Sequence, residues 1–310
     1  MQTLSVLVPA FNEEASIAAC LDHLLNQTHP IDEIVVIDNG STDSTASVVK
    51  TYVDHYGGAC TASGFARVRL VSEPAKGVVE AVATGFSTAS GEIIGRTDAD
   101  SLVTANWAEA MMDFFSDPEN TDYGAITGLV MLSDGPARER LLAMQTKAAA
   151  KFAEGRDIES LAGANLAMRR ECWELVSDKL TRRPDIWDDL DLSLALAEQG
   201  VRSRLHPGMV VDTSGRQLRF SPVRNWHYLS GGVRTAKARG NDVALRRMRL
   251  DLPFRLIMAF FLWIVLRPWD NDSKTWRPHR LFVPLERERA LITTGRDLGG
   301  SDSAAPPPTG

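Results

Sequence analysis

Short apolar runs alternate with amphipathic stretches over the first hundred residues of the chain. The runs lie at 4–9, 34–37, 67–71 and 93–97. Their length and apolar character are typical of strands buried in a parallel sheet. Apolar residues at helical spacing predict helices over about 14–26 and 78–90, with another helix between them that Ser41 or Thr42 can cap. This alternation predicts a doubly wound α/β fold with helices on both faces of the sheet.

Polar side chains follow the second and the fourth predicted strands. Asp38 and Asn39 follow the second strand, and Asp98 and Asp100 flank Ala99 after the fourth. In open α/β sheets the ligand lies outside the carboxyl ends of the strands, so we expect these side chains beside a bound molecule. Carboxylate oxygens bind Mg²⁺ or Mn²⁺, which commonly bridges phosphate oxygens. The pattern predicts a metal–diphosphate site, with turn chemistry or helix capping as the alternative.

Basic residues at two other places are candidates for contact with an anion. Lys76 and Gly77 precede the helix predicted at 78–90, where open backbone amides and a positive side chain suit an anionic group. Arg216 and Arg219 lie in a polar run after the last predicted strand, and their forked guanidinium groups suit a diphosphate. For both pairs, an ordinary surface position is the alternative.

The alternation becomes irregular after the acids at the end of the fourth strand. Helices are predicted at 107–115 and 136–154, with an apolar strand at 124–131 between them. The segment 160–170 is typical of a small-residue strand that runs into a helix. We expect this second half to complete the sheet and to shape an acceptor site.

Small residues and acids mark two later segments. Gly163 and Ala164 permit close approach of a ligand or, as the alternative, tight packing of two elements. Asp188, Asp189 and Asp191 fall in the first turn of a predicted helix, where the helix dipole favours acids. Three acids in four positions also repel one another, which predicts that a cation or a function retains at least one of them.

The composition is that of an ordinary globular protein of 310 residues, with 44% hydrophobic and 24% charged residues. The formal net charge of -6 argues against nucleic acid as the main partner. Cys20, Cys60 and Cys172 are far apart and lack metal-type spacing, which suits unpaired thiols in a reducing compartment. The N-terminus resembles no secretion signal. We therefore expect a cytoplasmic protein.

The last third of the chain reverses the overall charge and then becomes apolar. Residues 223–255 contain eight lysines and arginines against two acids, and residues 256–266 are wholly apolar. This run is too short to cross a bilayer, which takes about twenty residues. It can lie peripherally in the interface of an anionic membrane, with a buried core helix or a homodimer contact as alternatives. The tail at 293–310 is expected to be disordered.

Five segments, in order along the chain, resemble the motifs of the family 2 glycosyltransferases. They are VPAFNEE at 8–14, IDNGSTD at 37–43, DAD at 98–100, GANLAMR at 163–169 and DDLDL at 188–192. The resemblance covers roughly residues 3–220 and implies the GT-A fold, an α/β architecture with a Rossmann-like, mostly parallel sheet. It implies a GT-A domain at 1–220 with a nucleotide-binding half at 1–102 and an acceptor half at 103–220. A helical, basic and apolar extension would follow at 221–292.

The resemblance implies inverting transfer of a single sugar from a nucleoside-diphosphate sugar, UDP-sugar favoured, to a hydroxyl of a carbohydrate or lipid-linked acceptor. It implies a divalent cation, Mg²⁺ or Mn²⁺, with Asp100 as ligand. Asp189 stands at the position of the family's general base, with Asp188 beside it. The residues implied to bind the nucleotide sugar are Pro9, Phe11, Glu13, Asp38, Asn39, Lys76, Asp98, Ala99 and Arg216. Those implied on the sugar and acceptor side are Gly163, Ala164 and Asn165.

Two departures from the family and two rival interpretations stay open. Asn39 stands where the family often has Asp, and QLRFS at 217–221 matches the acceptor motif of processive members only loosely, which favours single addition.

A sugar-nucleotide nucleotidyltransferase also places two acids on a metal, but it needs a glycine-rich loop after the first strand, which is absent at 10–14. The other rival is a non-catalytic membrane adaptor that retains the fold, and the retained acids speak against it.

Overall fold

The computed structural model describes residues 2–57, 67–132, 135–136, 138–271 and 273–283. Cys60 and the tail predicted at 293–310 lie outside the described residues, as does the end of the predicted extension after residue 283. Cys20 and Cys172 are buried and unpaired, as predicted for both. Within the described ranges, no helix is long and apolar enough to cross a membrane.

The central sheet contains nine strands. They are β1 (Leu4–Ala10), β2 (Glu33–Asp38), β3 (Arg67–Ser72), β4 (Ile93–Thr97), β5 (Ser101–Val103), β6 (Tyr123–Leu132), β7 (Arg156–Ile158), β8 (Asn165–Arg169) and β9 (Arg202–Thr213). Their order is β3-β2-β1-β4-β8-β6-β9-β5, and β7 also pairs with β9. Strands β1 to β4, β6 and β9 run in one direction, whereas β5, β7 and β8 run in the other. The predicted mostly parallel sheet is confirmed, and its antiparallel strands come from the irregular second half.

Helices cover both faces of this sheet. They are α1 (Ile17–Leu25), α2 (Thr45–Tyr56), α3 (Val78–Thr88), α4 (Trp107–Ser116), α5 (Arg138–Ala149), α6 (Arg170–Val176), α7 (Asp188–Glu198), α8 (Trp226–Leu229), α9 (Gly231–Ala238) and α10 (Asp242–Leu266). Alternate side chains of a strand point to opposite faces, so Val6 packs in one cluster with Leu21 of α1, whereas Leu7 packs in another with Phe86 of α3. Burial on both faces explains why β1 is apolar at nearly every position.

The start of α2 differs from the prediction. A cap by Ser41 or Thr42 is wrong, because the helix begins later, at Thr45. The Oγ of Ser41 instead accepts a hydrogen bond from the backbone N–H of Asn12, at 3.0 Å. The carboxylate of Asp43 accepts hydrogen bonds from the backbone N–H and the Oγ1 of Thr45. These polar residues therefore bind the loop after β2 to the loop after β1.

The predicted C-terminal extension contains α8, α9 and α10. The apolar run at 256–266 is the second half of α10, which has 25 residues, contains Pro253 and ends at Leu266. Helix α10 packs on α9 and on the 3₁₀ turn Gly215–Arg219, and α9 packs in turn on α7. A small antiparallel pair follows, formed by β10 (Trp269–Asp270) and β11 (Thr275–Trp276). The extension is thus helical, whereas its boundary as a separate domain stays a prediction.

Candidate active site

The loops after β1 and β4 leave the sheet at the same edge. These strands are parallel neighbours, with β2 on the other side of β1, so the strand order changes direction between β1 and β4. Ligands of open α/β sheets bind outside the carboxyl ends at such a point. The first loop carries Phe11 and Glu13, and the second carries Asp98, Ala99 and Asp100. The fold therefore brings the first and third predicted motifs together.

The guanidinium group of Arg216 connects the two loops. Its Nη2 lies 2.7 Å from Oε2 of Glu13 and 2.7 Å from Oδ2 of Asp100, and both carboxylates are buried. The Oγ of Ser214 donates to Oδ2 of Asp100 at 2.9 Å and accepts from Nε of Arg216 at 3.0 Å. Arg216 lies in the turn Gly215–Arg219, just after β9. A residue predicted to bind diphosphate is thus held beside the predicted metal ligand.

The carboxylates of Glu13 and Asp100 form an environment that favours positive charge at Arg216. Burial opposes the charge of Arg216, but attraction by Asp100 and Glu13 outweighs burial and raises the pKa of Arg216. Among the described residues, no three His, Cys, Asp or Glu side chains are grouped so that they could hold a metal ion. In nucleotide sites one or two carboxylates can share Mg²⁺ or Mn²⁺ with phosphate oxygens and water, and a metal-binding role of Asp100 stays a prediction.

Asn39 holds the loop that carries the exposed Lys76. Its Nδ2 donates to the backbone carbonyls of Glu73, at 3.0 Å, and Ala75, at 2.7 Å. Its Oδ1 accepts from the backbone N–H of Gly77, at 2.8 Å. A carboxylate could not donate the first two bonds, which gives a physical reason for an amide where the family often has Asp. Contact of Asn39 with a nucleoside stays a prediction.

The other donor-side candidates lie along the same edge of the sheet. Asp38 ends β2 beside the end of β1, and its Oδ1 accepts from the backbone N–H of Ser41 at 3.2 Å. Pro9 and Phe11 are half-buried at the end of β1, whereas Ala99 is buried between the two acids of its motif. Their contacts with a nucleotide sugar stay predictions.

Arg96 on β4 joins the acids after β4 to the acidic helix α7. Its side chain is 3% exposed and forms ion pairs with Asp188 and, at 3.6 Å, with Asp98. Burial opposes its charge, but attraction by Asp188 and Asp98 outweighs burial and raises the pKa of Arg96. A Cβ at Gly163 would lie 3.0 Å from Nη2 of Arg96, so this glycine permits the close approach. The sequence analysis did not identify Arg96. The feature that could have identified it is an arginine within an apolar strand that is otherwise buried.

Asp189 lies in the first turn of α7. Its Oδ2 accepts a hydrogen bond from the backbone N–H of Gly163 at 3.1 Å, and its Oδ1 accepts from that of Leu190 at 2.7 Å. Burial and repulsion by Asp188 raise the pKa of Asp189 to about 6, against opposing effects of Arg96 and the two hydrogen bonds. This carboxylate is ionised at neutral pH, yet it accepts a proton more readily than an ordinary aspartate.

The repulsion predicted among the acids of α7 is relieved by arginines from other parts of the chain. Asp188 pairs with Arg96, as described above. Asp191 is buried and pairs with Arg239, at 2.9 Å, just after α9. Asp189 accepts hydrogen bonds from the backbone N–H groups of Gly163 and Leu190, as described for its carboxylate oxygens. Of the three acids, Asp189 is therefore the best placed for proton transfer.

Asn165 follows Ala164 at the start of β8 and lies in the core. Its side chain is fully buried, and its Oδ1 accepts from Nε1 of Trp107 at 2.7 Å. Its Nδ2 donates to the carbonyls of Leu129, at 2.9 Å, and Met209, at 3.1 Å. The polar atoms of this side chain connect α4, β6 and β9 to β8, and the predicted contact of Asn165 with the acceptor stays a prediction.

The family model for glycosyl transferase family 2 matches residues 5–175, which is more than half of the chain. The chain belongs to this family. The resemblance found in the sequence is confirmed, and the matched residues include β1, β2, β4 and Gly163. Helix α7, with Asp189, follows the matched residues.

One curated relative and two solved structures resemble this chain. GlyG, a glycosyltransferase of Streptococcus pneumoniae, is 31% identical over 111 residues, which are 36% of this chain and 34% of GlyG. The mannosyltransferase PcManGT of Pyrobaculum calidifontis, solved with GDP-Man and Mn²⁺, has a TM-score of 0.58 and 24% identity over 84% of this chain and 74% of PcManGT. TarS of S. aureus, residues 1–349 with UDP-GlcNAc, has a TM-score of 0.53 and 15% identity over 84% of this chain and 80% of TarS. The structural likeness confirms the GT-A-type fold, and the chain spans about a third of GlyG.

Replacing Arg216 tests the charge balance at the sheet edge. In Arg216→Met, Asp100 and Glu13 keep their buried charges without the guanidinium between them. We expect the free energy of unfolding to fall by about 2 kcal/mol, measured by urea denaturation. Arg182→Met is the matched control, because it removes an exposed ion pair with Glu80, at 3.0 Å, and should cost less than about 0.5 kcal/mol. Equal losses in the two variants would contradict the assigned role of Arg216.

Proposed function

We propose that the protein is a metal-dependent, inverting glycosyltransferase. It transfers a single sugar from a nucleoside-diphosphate sugar, UDP-sugar favoured, to a hydroxyl of a carbohydrate or lipid-linked acceptor. The observation that carries the proposal is the pairing of Arg96 with both Asp98 and Asp188, which holds Asp189 beside the carboxyl end of β4. One site thus combines carboxylates that suit a cation with a separate carboxylate that suits proton transfer. The cytoplasmic location stays a prediction.

On the donor side, Asp100 is the proposed ligand of Mg²⁺ or Mn²⁺, and residues at the ends of β2 and β4 are the proposed contacts of the nucleoside. When bound, the cation supplies neutralisation of the negative charge that develops on the leaving diphosphate. Lys76 and Arg216 add positive charge from the protein. PcManGT was solved with GDP-Man and Mn²⁺, and TarS with UDP-GlcNAc, which supports a nucleotide sugar as the donor of this chain.

On the acceptor side, Asp189 is the proposed general base. It takes the proton of the acceptor hydroxyl while the hydroxyl oxygen forms a bond to the anomeric carbon. The bond from that carbon to the diphosphate oxygen breaks, and its electron pair leaves with the diphosphate. Inversion requires attack from the face opposite the diphosphate, so Asp189 would lie across the sugar from the diphosphate. Gly163 and Ala164 are the proposed backbone lining of the acceptor position.

Asp188 acts through its neighbours in this proposal. Its ion pair with Arg96 fixes the start of α7 on the sheet, and its charge raises the pKa of Asp189. Asp188 is therefore proposed as a positioning residue for the base, and a direct contact with substrate is not needed for its effect.

Calorimetric titration with nucleoside diphosphates tests the donor site. With Mn²⁺ present, we expect one nucleotide to bind in the micromolar range, and we expect chelation or Asp100→Asn to weaken this binding by about tenfold or more. The physical reason is that Asp100 would hold the ion that neutralises the diphosphate. Asp178→Asn changes an exposed acid on another surface and should bind like the wild type. The donor site would be contradicted if nucleotide binding by the wild type were unchanged by the chelator and equally strong in Asp100→Asn.

The pH dependence of donor hydrolysis tests the base without a known acceptor. Protonation of Asp189 removes the base, so the release of nucleoside diphosphate should fall as the pH decreases through about 6 and should level off above it. Asp189→Asn should lower kcat by about 100-fold or more and leave metal-dependent nucleotide binding unchanged. Full activity of Asp189→Asn would contradict its role. If the wild type binds nucleotide but catalyses neither donor hydrolysis nor sugar transfer, the alternative of a non-catalytic membrane adaptor would be favoured.

A further inference from the structure

From Leu250 onwards, helix α10 exposes apolar side chains instead of burying them. They recur at helical spacing along one face, which we call the apolar stripe. The stripe consists of Leu250, Phe254, Ile257, Met258, Phe261, Ile264 and Val265. Phe254 and Phe261 are 64% and 59% exposed. An amphipathic helix of a globular protein turns such a face to the core, so a stripe of this length on the outside marks a surface for another apolar phase.

The opposite face of α10 is fixed on the rest of the protein. Ala259 and Leu266 are buried there. The guanidinium group of Arg255 stacks on the ring of Trp187, 4.3 Å from its centroid, and donates to the carbonyl of Leu229 at 3.1 Å. Rotation of the helix to bury the stripe would break these contacts. The stripe is therefore held on the outer side of the helix.

Two more apolar side chains lie near the end of α10. Arg267, just after the helix, donates from Nε to the carbonyl of Arg280 at 2.8 Å and from Nη2 to the carbonyl of Val283. These bonds place the segment with Phe282 and Val283 beside the end of α10. Phe282 is 89% exposed. The exposed apolar surface thus continues beyond the helix.

Basic side chains lie at the same end of α10. We call Arg219, Arg224, Arg267 and Arg280 the arginine cluster. Arg267 contacts the backbone of Arg280, as its hydrogen bond shows, and burial and repulsion by the other three members lower the pKa of Arg267. Asp270 pairs with Arg280 at 2.8 Å and offsets part of this charge. Residues 221–283 contain twelve lysines and arginines against four acids, although the whole chain has a formal net charge of -6. Positive charge is therefore concentrated on the part of the molecule that exposes apolar side chains.

We propose that the apolar stripe and the arginine cluster dock the protein on an anionic lipid bilayer, with α10 lying along the interface. The phenylalanine side chains enter the boundary between headgroups and acyl chains, and the exposed side chain of Arg224 binds lipid phosphates. Arg267 is buried and adds only to the positive potential behind this surface. The contact of Arg255 with Trp187, the residue before α7, places this surface beside the proposed acceptor side. If the proposed function holds, docking favours a lipid-linked acceptor.

A second copy of the chain fits this surface less well than a bilayer does. A symmetric dimer would pair two copies of the same positively charged surface, so neither copy would supply the opposite charge to the other. An anionic bilayer supplies both an apolar phase and the opposite charge. Charge complementarity therefore selects the lipid surface as the occupant.

Flotation of the full chain with lipid vesicles tests the proposal. We expect the wild type to bind vesicles of phosphatidylcholine with phosphatidylglycerol, and to bind vesicles of phosphatidylcholine alone much more weakly. Binding should weaken as NaCl is raised, because salt screens the arginine cluster. The double variant Phe254→Ser/Phe261→Ser should bind anionic vesicles about tenfold less or weaker still, because less apolar surface enters the interface.

Leu175→Ser is the matched control, because it removes an exposed apolar side chain from α6 and should bind vesicles like the wild type. Circular dichroism and Tm should be alike in all three proteins, since the changed positions are exposed. Nucleotide binding without vesicles should also be unchanged in the double variant, which separates failure of docking from failure of the proposed reaction. Equal vesicle binding by the double variant, or no binding by the wild type, would overturn the proposal. A dimer that the double variant abolishes would identify a second copy as the occupant instead.

Discussion

The charge of Arg96 is buried between two acids, and the arrangement of the candidate site depends on this neutralisation. A guanidinium that is 3% exposed is costly without ionic partners, and Asp98 and Asp188 supply them. Asp98 follows β4, whereas Asp188 begins α7, 92 residues after Arg96. Neutralising one buried charge therefore fixes α7, which carries the proposed base Asp189, against the sheet edge. The absence of a side chain at Gly163 leaves room for the guanidinium.

The first half of the fold could be predicted from the sequence because its strands are buried on both faces. A short apolar run such as that of β1 indicates a buried strand when apolar residues at helical spacing follow it. The place of β8 between β4 and β6 was not predictable, because β8 pairs with strands that are distant in sequence. The composition of α10 shows an apolar run, but only packing decides which face of the helix stays outside.

The candidate site was predictable where a residue stands at the end of its own strand or helix. Asp100 and Asp189 are such residues, and their positions follow from local pattern alone. The partners of the charges were not predictable, because Arg96 and Arg216 meet their acids through the tertiary fold. Asn39 looks like a departure from the family in the sequence, yet its amide makes bonds that a carboxylate could not.

The pH profile of donor hydrolysis by Asp188→Asn tests most directly whether the buried charges set the reactivity of Asp189. Asp188 raises the pKa of Asp189, and its removal also frees Arg96, whose charge lowers that pKa. We expect the midpoint of the acidic decline in rate to lie at lower pH in the variant than in the wild type. An unchanged midpoint, or one at higher pH, would contradict the role assigned to the two acids.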